Sequence, residues 1–497
     1  MRSQSSRLVV AAVLALGLVA RHPEPLSGAR AAPFPRAAVA ELQRDLDRTL
    51  SAPATEHAYW GVIVKALKTD ETLYSLNAHK LMMPASAMKI VTLAAAADRL
   101  GWDYSFETRL LADGVIDDGT LNGDLIVVGS GDPSLTQDLA TNLFSSWAER
   151  LKLAGIRAIT GRVVGADGAF DDEALGAGWS WDDLADGYAT GVSALQYNEN
   201  VVRATITPGG TVGAPATISL APSGSGLAIT NLVKTAPADG SLVMALRRAP
   251  ASGHLELRGS VPLGGGPYAR NLAVANPTLF FVAALRDALV ANGIDVGGPS
   301  VNIGDLVDPP AATGVTLATY RSPPLSTLAV TLMKLSQNLY AETLLKTLGA
   351  ASGTPTFDGG RAAVRSTLAS WGLPAGELIQ VDGSGLSRYG YVTAAMLVDI
   401  LTHVDRDQRL RGPYELSLPI AGRDGTLAGR LAGTRAEGNV RAKTGSMSNV
   451  RALAGYVTSR DGDPIVFAIL VNNFESAADA VIRTIDSVVV RLAEIKR

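Results

Sequence analysis

The sequence contains no cysteine. That single absence excludes a thiolate nucleophile, disulfides and thiolate metal sites together. Histidine is scarce as well: His22, His57, His79, His254 and His403 stand far apart, and no HExxH or HxH spacing suggests a metal site or a metal cofactor. No Gly-x-Ser-x-Gly elbow appears, which disfavours a Ser-His-Asp hydrolase. An excess of either charge is missing too. With 44 basic and 47 acidic residues the net charge is −3, so there is no electrostatic footprint for nucleic acid. Finally, no apolar run is long enough to cross a bilayer as a permanent anchor; Leu8–Ala20 spans only 13 residues.

What is present belongs to a globular chain: 47% apolar and 18% charged residues over 497 positions, too long for one simple core. Arg2 and Arg7 precede the short apolar run, and Ala29-Arg30-Ala31 follows as a small-x-small cleavage site. That order describes a cleavable secretory signal peptide over residues 1–31, and hence a periplasmic or otherwise exported protein. The segment from Glu475 to Lys496 repeats apolar residues at helical spacing and predicts a helix packed on a sheet, with membrane association at most peripheral.

The texture changes twice along the chain. Tyr59–Lys65 and Glu71–Ser75 read as a strand hairpin, and Ser86–Leu100 as an Ala-rich helix. Between Gly101 and about Pro310, short β-prone runs alternate with Asp-Gly and Asn-Gly turns, and Pro208–Gly266 reads as a small β module. Helical patterns return at Leu325–Leu348 and Gly359–Trp371. Two closing strands are expected around Val440–Lys443 and Ile465–Val471. The pattern is that of one α/β domain interrupted by a mostly β insertion, with no repeat of fixed period.

Three short motifs carry the chemistry. In Ser86-Ala87-Met88-Lys89, residues i and i+3 share a helix face, so the lysine reaches the serine hydroxyl. A serine needs a neighbouring base, and a lysine serves once burial and nearby cations lower its pKa. Ser336-Gln337-Asn338, inside the predicted helix Leu325–Leu348, supplies a second hydroxyl to relay a proton and an amide able to bind Lys89 and a substrate carbonyl. Lys443-Thr444-Gly445-Ser446 follows a strand-like run that can pair with an extended peptide. Gly445 admits a close backbone approach, Lys443, Thr444 and Ser446 can bind a carboxylate, and the N–H groups of Ser86 and Ser446 would form an oxyanion hole. A Ser-x-x-Lys match is expected about once by chance in a chain of this length. The ordered set of three, each on its expected element, carries the argument.

This set is shared by penicillin-binding proteins and class A β-lactamases. The chain resembles the low-molecular-mass class C penicillin-binding proteins, the D-alanyl-D-alanine carboxypeptidase/endopeptidase family (peptidase family S13). The 250-position interval from Ser86 to Ser336 is similar to that family's inserted domains. Further matching segments include Gly129–Leu135, Gly178–Asp183, Tyr197–Asn200 and Asp382–Arg388. The resemblance implies a transpeptidase-like α/β domain, helices on a five-stranded antiparallel sheet, interrupted by two mostly β inserted domains. The organisation so implied is residues 32–106 and 316–497 for the main domain and 107–315 for the insertion, the latter split into 107–169 with 272–315 and 170–271.

The resemblance also implies acylation at Ser86, general base Lys89, proton relay by Ser336 and Asn338, and carboxylate binding by Lys443 and Thr444. Peptidoglycan stem peptides and β-lactams would be the ligands. A pocket for a diaminopimelate side chain would be lined by Asp167, Phe170, Arg388 and Ser448, with Asp171 and Asp172 as alternatives for the acid. An acid and an arginine suit a zwitterionic ammonium and carboxylate. Two other readings use the same residues: a β-lactamase or esterase, which would need a Glu-containing loop that is not evident, and a peptidoglycan-binding protein with an inactive site.

Overall fold

The computed structural model describes residues 32–248 and 252–496. The expected signal peptide lies outside the described residues. The strand Pro464–Asn472 shows how the main core is built, because it is buried along nearly its whole length. Alternate side chains leave a strand on opposite faces. Ile465, Phe467, Ile469 and Val471 enter one apolar cluster with Leu42, Leu46, Val481 and Ile485, from helices Arg36–Leu50 and Ala478–Glu494. Val466, Ala468 and Leu470 enter a second with Ala94, Leu344 and Ile400, from helices Met88–Leu100, Asn338–Ala351 and Ala394–Arg406. Helices therefore cover both faces of the sheet, and the C-terminal helix packs on it as its periodicity predicts.

That sheet has five antiparallel strands, in the order Arg441–Met447, Val450–Thr458, Pro464–Asn472, Tyr59–Ala66, Thr72–Leu76. The strand Val450–Thr458 escaped the sequence reading, which gave two closing strands where there are three. It contains Ala452, Ala454 and Gly455, residues of low strand preference. Packing is the reason for them: a Cβ on Gly455 would lie 2.1 Å from the Arg441 carbonyl oxygen.

The helix expected over Leu325–Leu348 is two helices, Leu325–Lys334 and Asn338–Ala351, with Ser336 at φ 60° in the break. A left-handed serine costs about 1–2 kcal/mol, so tertiary contacts must hold it there. Two do: Lys443 Nζ donates to Ser336 Oγ at 2.8 Å, and Gln337 Nε2 donates to Glu199 Oε2 at 2.7 Å.

The intervening region builds its own core on the hairpin Glu107–Asp117 and Thr120–Gly129, covered by helices Gln137–Leu153 and Pro277–Ala291. Two three-stranded sheets join that core. One centres on Val201–Thr207 and the other on His254–Pro262. Its outermost strand, Val315–Arg321, pairs with Glu107–Asp117. The expected boundaries at 271/272 and 315/316 both fall inside strands, Tyr268–Ala273 and Val315–Arg321. Among the described residues no helix is long and apolar enough to cross a membrane.

Candidate active site

Ser86 sits in a 3₁₀ turn, Ala85–Ala87, that runs directly into helix Met88–Leu100. Two glycines from distant segments wedge this turn. A Cβ on Gly385 (φ 81°) would lie 1.9 Å from the Ala85 carbonyl oxygen, and one on Gly445 would lie 2.3 Å from that of Pro84. The nucleophile is thus pressed between the loop Asp382–Arg388 and the edge strand Arg441–Met447. Pro419 and Ile420 cover the start of that strand, where Ala442 N–H donates to the Pro419 carbonyl. Among the described residues no further strand pairs with its outer edge.

Lys89, the second residue of the helix and one turn after Ser86, is fully buried. Its Nζ has three hydrogen-bond neighbours: Ser86 Oγ at 2.9 Å, Asn338 Oδ1 at 2.6 Å and the Ser384 carbonyl at 3.1 Å. Two of these can only accept. The third, a hydroxyl, can also donate. An ammonium can donate to all three; a neutral amine, with two N–H donors and one lone pair, keeps the bonds to Asn338 and Ser384 and turns its lone pair onto Ser86. Burial favours the neutral amine: it holds the ammonium down to about 7, against opposing pulls from Glu342 and Asp382.

The second lysine of the set, Lys443, is buried in the same wall and donates to Ser336 Oγ at 2.8 Å and to the Thr444 carbonyl at 3.0 Å. Burial, then the neighbouring Lys89, pushes its ammonium well below the usual value. Beneath both lysines lie two buried carboxyls. Glu342 Oε1 and Oε2 accept the N–H groups of Ser384 and Gly383, each at 2.8 Å. Asp382 accepts from the N–H groups of Gly385 and Ser387 and from Trp179 Nε1. Burial raises both, Asp382 adds to the rise at Glu342, and the N–H groups that each accepts pull the other way.

Above this layer opens a cavity of about 280 Å³. Ser86, Ser336, Asn338, Gly385 and Ser446 form its floor, and Asp183, Tyr188, Arg388, Met447 and Ser448 its outer wall. Thr444 lies on the edge strand with its hydroxyl donating to Thr426 Oγ1 at 2.7 Å. All three motifs therefore converge, and Arg388 and Ser448 line the cavity with them.

Asp167 and Phe170 do not line it. The Asp167 carboxylate is used inside the inserted region, where it accepts from the Thr278 hydroxyl, from Asn302 Nδ2 at 3.0 Å and from Ser193 Oγ at 3.4 Å. Phe170 is a core residue, packed under the Lys346 ammonium. Nor does Asp171 serve as the cavity's acid, since it pairs with Lys346 at 2.5 Å. The acid in the wall is Asp183, which accepts from the Tyr188 hydroxyl at 2.6 Å. Sequence reasoning quoted the segment Gly178–Asp183 without giving this acid a role. It also missed Tyr188 and Glu342, which no local motif marks.

The surroundings of Ser86 give the class. A lysine amine in place of an imidazole, beside an open sheet edge that can take an extended peptide, marks a serine DD-peptidase of the penicillin-binding kind. Comparison with known proteins agrees with that class and narrows it. The D-Ala-D-Ala carboxypeptidase 3 (S13) family matches residues 42–495, and the chain belongs to that family. A D-alanyl-D-alanine carboxypeptidase from an Actinomadura species is 34% identical over 473 residues, covering 92% of this chain and 85% of the relative. The D-alanyl-D-alanine carboxypeptidase DacB of Haemophilus influenzae is 30% identical over 84% of this chain and 86% of its own length. A crystal structure of penicillin-binding protein 4 from Haemophilus influenzae superposes with a TM-score of 0.80 at 28% identity, covering 91% of this chain and 99% of that one. A second structure of that protein, complexed with a β-lactam, gives 0.75 at 27% identity over the same shares.

Proposed function

We propose that this carboxypeptidase cuts the terminal D-alanyl-D-alanine bond of peptidoglycan stem peptides, or the equivalent bond of a cross-link, through an acyl-enzyme on Ser86, and that penicillin acylates the same oxygen. The observation that carries the reading is the 2.9 Å approach of the fully buried Lys89 Nζ to Ser86 Oγ, with Asn338 Oδ1 and the Ser384 carbonyl placed to take two N–H groups of the amine. Lys89 takes the Ser86 proton as Oγ attacks the penultimate carbonyl carbon. The resulting oxyanion sits between the N–H groups of Ser86 and Ser446, which together act as a preorganised hole. Ser336, linked to Lys443, hands a proton to the departing D-alanine nitrogen, and the C–N bond breaks. Lys443 and Thr444 bind the terminal carboxylate. The Lys89 ammonium gives its proton back to replace the one lost by Ser336 and is a neutral amine again; water then attacks the ester, Lys89 takes its proton and passes it to Ser86 Oγ as the ester C–O bond breaks.

Export by a cleavable leader and action at the cell wall belong to this reading, and so does the division into a main domain and two inserted domains. The wall formed by Arg388, Asp183 and Ser448 would take the end of a side chain that carries both an ammonium and a carboxylate. Intact mass spectrometry after penicillin exposure is the test. A stable adduct that disappears in Ser86→Ala supports the reading; wild type without an adduct would sink it in favour of a binding protein. Rapid release of hydrolysed penicillin would instead mark a β-lactamase. D-Alanine release from a muropeptide, set against cleavage of a cross-linked dimer, then separates carboxypeptidase from endopeptidase action.

A further inference from the structure

The loop Asp382–Arg388 is held from two sides at its first glycine and serine. From helix Met88–Leu100, Thr92 Oγ1 donates to the Gly383 carbonyl at 2.7 Å and Lys89 Nζ to the Ser384 carbonyl at 3.1 Å. From helix Asn338–Ala351, the two oxygens of Glu342 take the N–H groups of the same two residues. Glu342 is fully buried and lies one helical turn after Asn338, so the two side chains share a face. Gly383 has no room for a side chain here. A Cβ would fall 2.3 Å from the Ala341 carbonyl oxygen.

Each planar peptide unit joins the carbonyl of one residue to the N–H of the next, so Glu342 fixes the two units that lead into Ser384, while the unit that carries the Ser384 carbonyl is held through the Gly385 N–H by Asp382. We propose that Glu342 is a positioning residue for the acylation step: by clamping the two peptide units that lead into Ser384 it fixes where this residue stands, and with Asp382 holding the next unit the Ser384 carbonyl meets Lys89, takes up one N–H of the amine and leaves the lone pair for Ser86. The inference rests on the reading of Lys89 as the base of Ser86. Asn338 holds the other N–H, so Glu342 and Asn338 act on the same amine from one helix, the first through backbone and the second directly. Asp382 completes the arrangement by folding the rest of the loop onto itself and onto Trp179. A carboxylate with two acceptor oxygens suits a pair of adjacent N–H donors; an amide offers one acceptor oxygen, and alanine none.

Stopped-flow acylation by a fluorescent penicillin, resolved into the dissociation constant before acylation and the acylation rate constant, tests this on the full-length enzyme with thermal melts alongside. E342A should lower the rate constant roughly 100-fold, the scale expected when a reacting group is misplaced by about an ångström. The dissociation constant should stay within about threefold, since ground-state binding is untouched. E342Q, which keeps one acceptor, should fall between E342A and wild type, acylating roughly 10-fold more slowly than wild type. A folded E342A or E342Q that acylates at the wild-type rate constant overturns the proposal, as does a loss carried by the dissociation constant alone. Should E342A not fold, the isosteric E342Q decides by the same criterion. Wild type that forms no adduct on Ser86 would instead overturn the reading of the base, and is seen separately.

Discussion

Asn338 donates from Nδ2 to the Tyr188 carbonyl at 2.8 Å, and this bond turns its Oδ1 onto Lys89 Nζ at 2.6 Å. The intervening region thereby reaches the layer that holds Lys89 and Asn338, because Tyr188 belongs to the loop that also carries Asp183. Reversing the amide would place two donors against the lysine and an oxygen against a carbonyl. Two substitutions separate the contributions. Asn338→Ala removes an acceptor and should slow acylation about 100-fold. Asn338→Asp puts a negative charge beside the amine, which favours the ammonium. Its acylation should require a higher pH than wild type does, a displacement that fluorescent-penicillin kinetics across pH will show.

Because burial holds Lys89 near 7, its protonation should govern the acid side of the pH profile. The sign follows from the role: only the neutral amine can accept the Ser86 proton. Acylation should therefore be slow below pH about 6, rise through about 7 and level off above it. Lys89→Met should abolish the rise along with nearly all activity. A wild-type profile flat between pH 5 and 8 would assign the base elsewhere.

The site motifs were legible in the sequence because each is a short local pattern of three or four consecutive residues: one where a 3₁₀ turn enters a helix, one at the break between two helices, one on a strand. The positions that complete them were not. Glu342 meets Gly383 and Ser384 only through the packing of two helices, and Asp183 arrives on a loop from the inserted region. Ser336 shows the same limit in the fold: its neighbours have ordinary helical character, and the break is imposed by Lys443, more than 100 residues away. The sheet was legible where strands are apolar, as in Pro464–Asn472, and lost where close packing demands Ala and Gly, as in Val450–Thr458. Asp167 misled because its short polar neighbourhood reads like an open loop, whereas Thr278 and Asn302 come back from far along the chain to occupy its oxygens.

Lys346 gives a stability prediction independent of catalysis. Its side chain is fully buried, paired with Asp171 at 2.5 Å and set over the Phe357 ring at 4.7 Å, while the Asp171 side chain is 31% exposed. Breaking the pair should be asymmetric. Asp171→Ala leaves the buried ammonium with the Asp171 backbone carbonyl at 3.2 Å but no counter-charge, and should cost about 3 kcal/mol, the lower end for such losses. Lys346→Met fills the same space with an apolar chain and leaves the carboxylate able to reach water, so it should cost less. Chemical denaturation of the two variants ranks them directly.

The correction at the cavity wall separates two acids that sequence alone could not. If Arg388 and Asp183 receive the charged end of a substrate side chain, Arg388→Ala should raise KM by about 10-fold for peptides ending in a free ammonium and carboxylate. That corresponds to loss of a charge-assisted pair. Acylation by benzylpenicillin, which has no such end, should change by less than about threefold. Asp183→Asn should follow the same pattern. Its carboxylate also accepts from Tyr188, so part of the effect will come through that ring. Asp167→Ala, in contrast, should leave the discrimination between the two ligands as it is and lower thermal stability, because it deprives Thr278 and Asn302 of their shared acceptor. Steady-state kinetics of the three variants on peptides with and without the zwitterionic end would check this. Lost discrimination in Asp167→Ala, with Asp183→Asn unaffected, would return the acidic role to the inserted core.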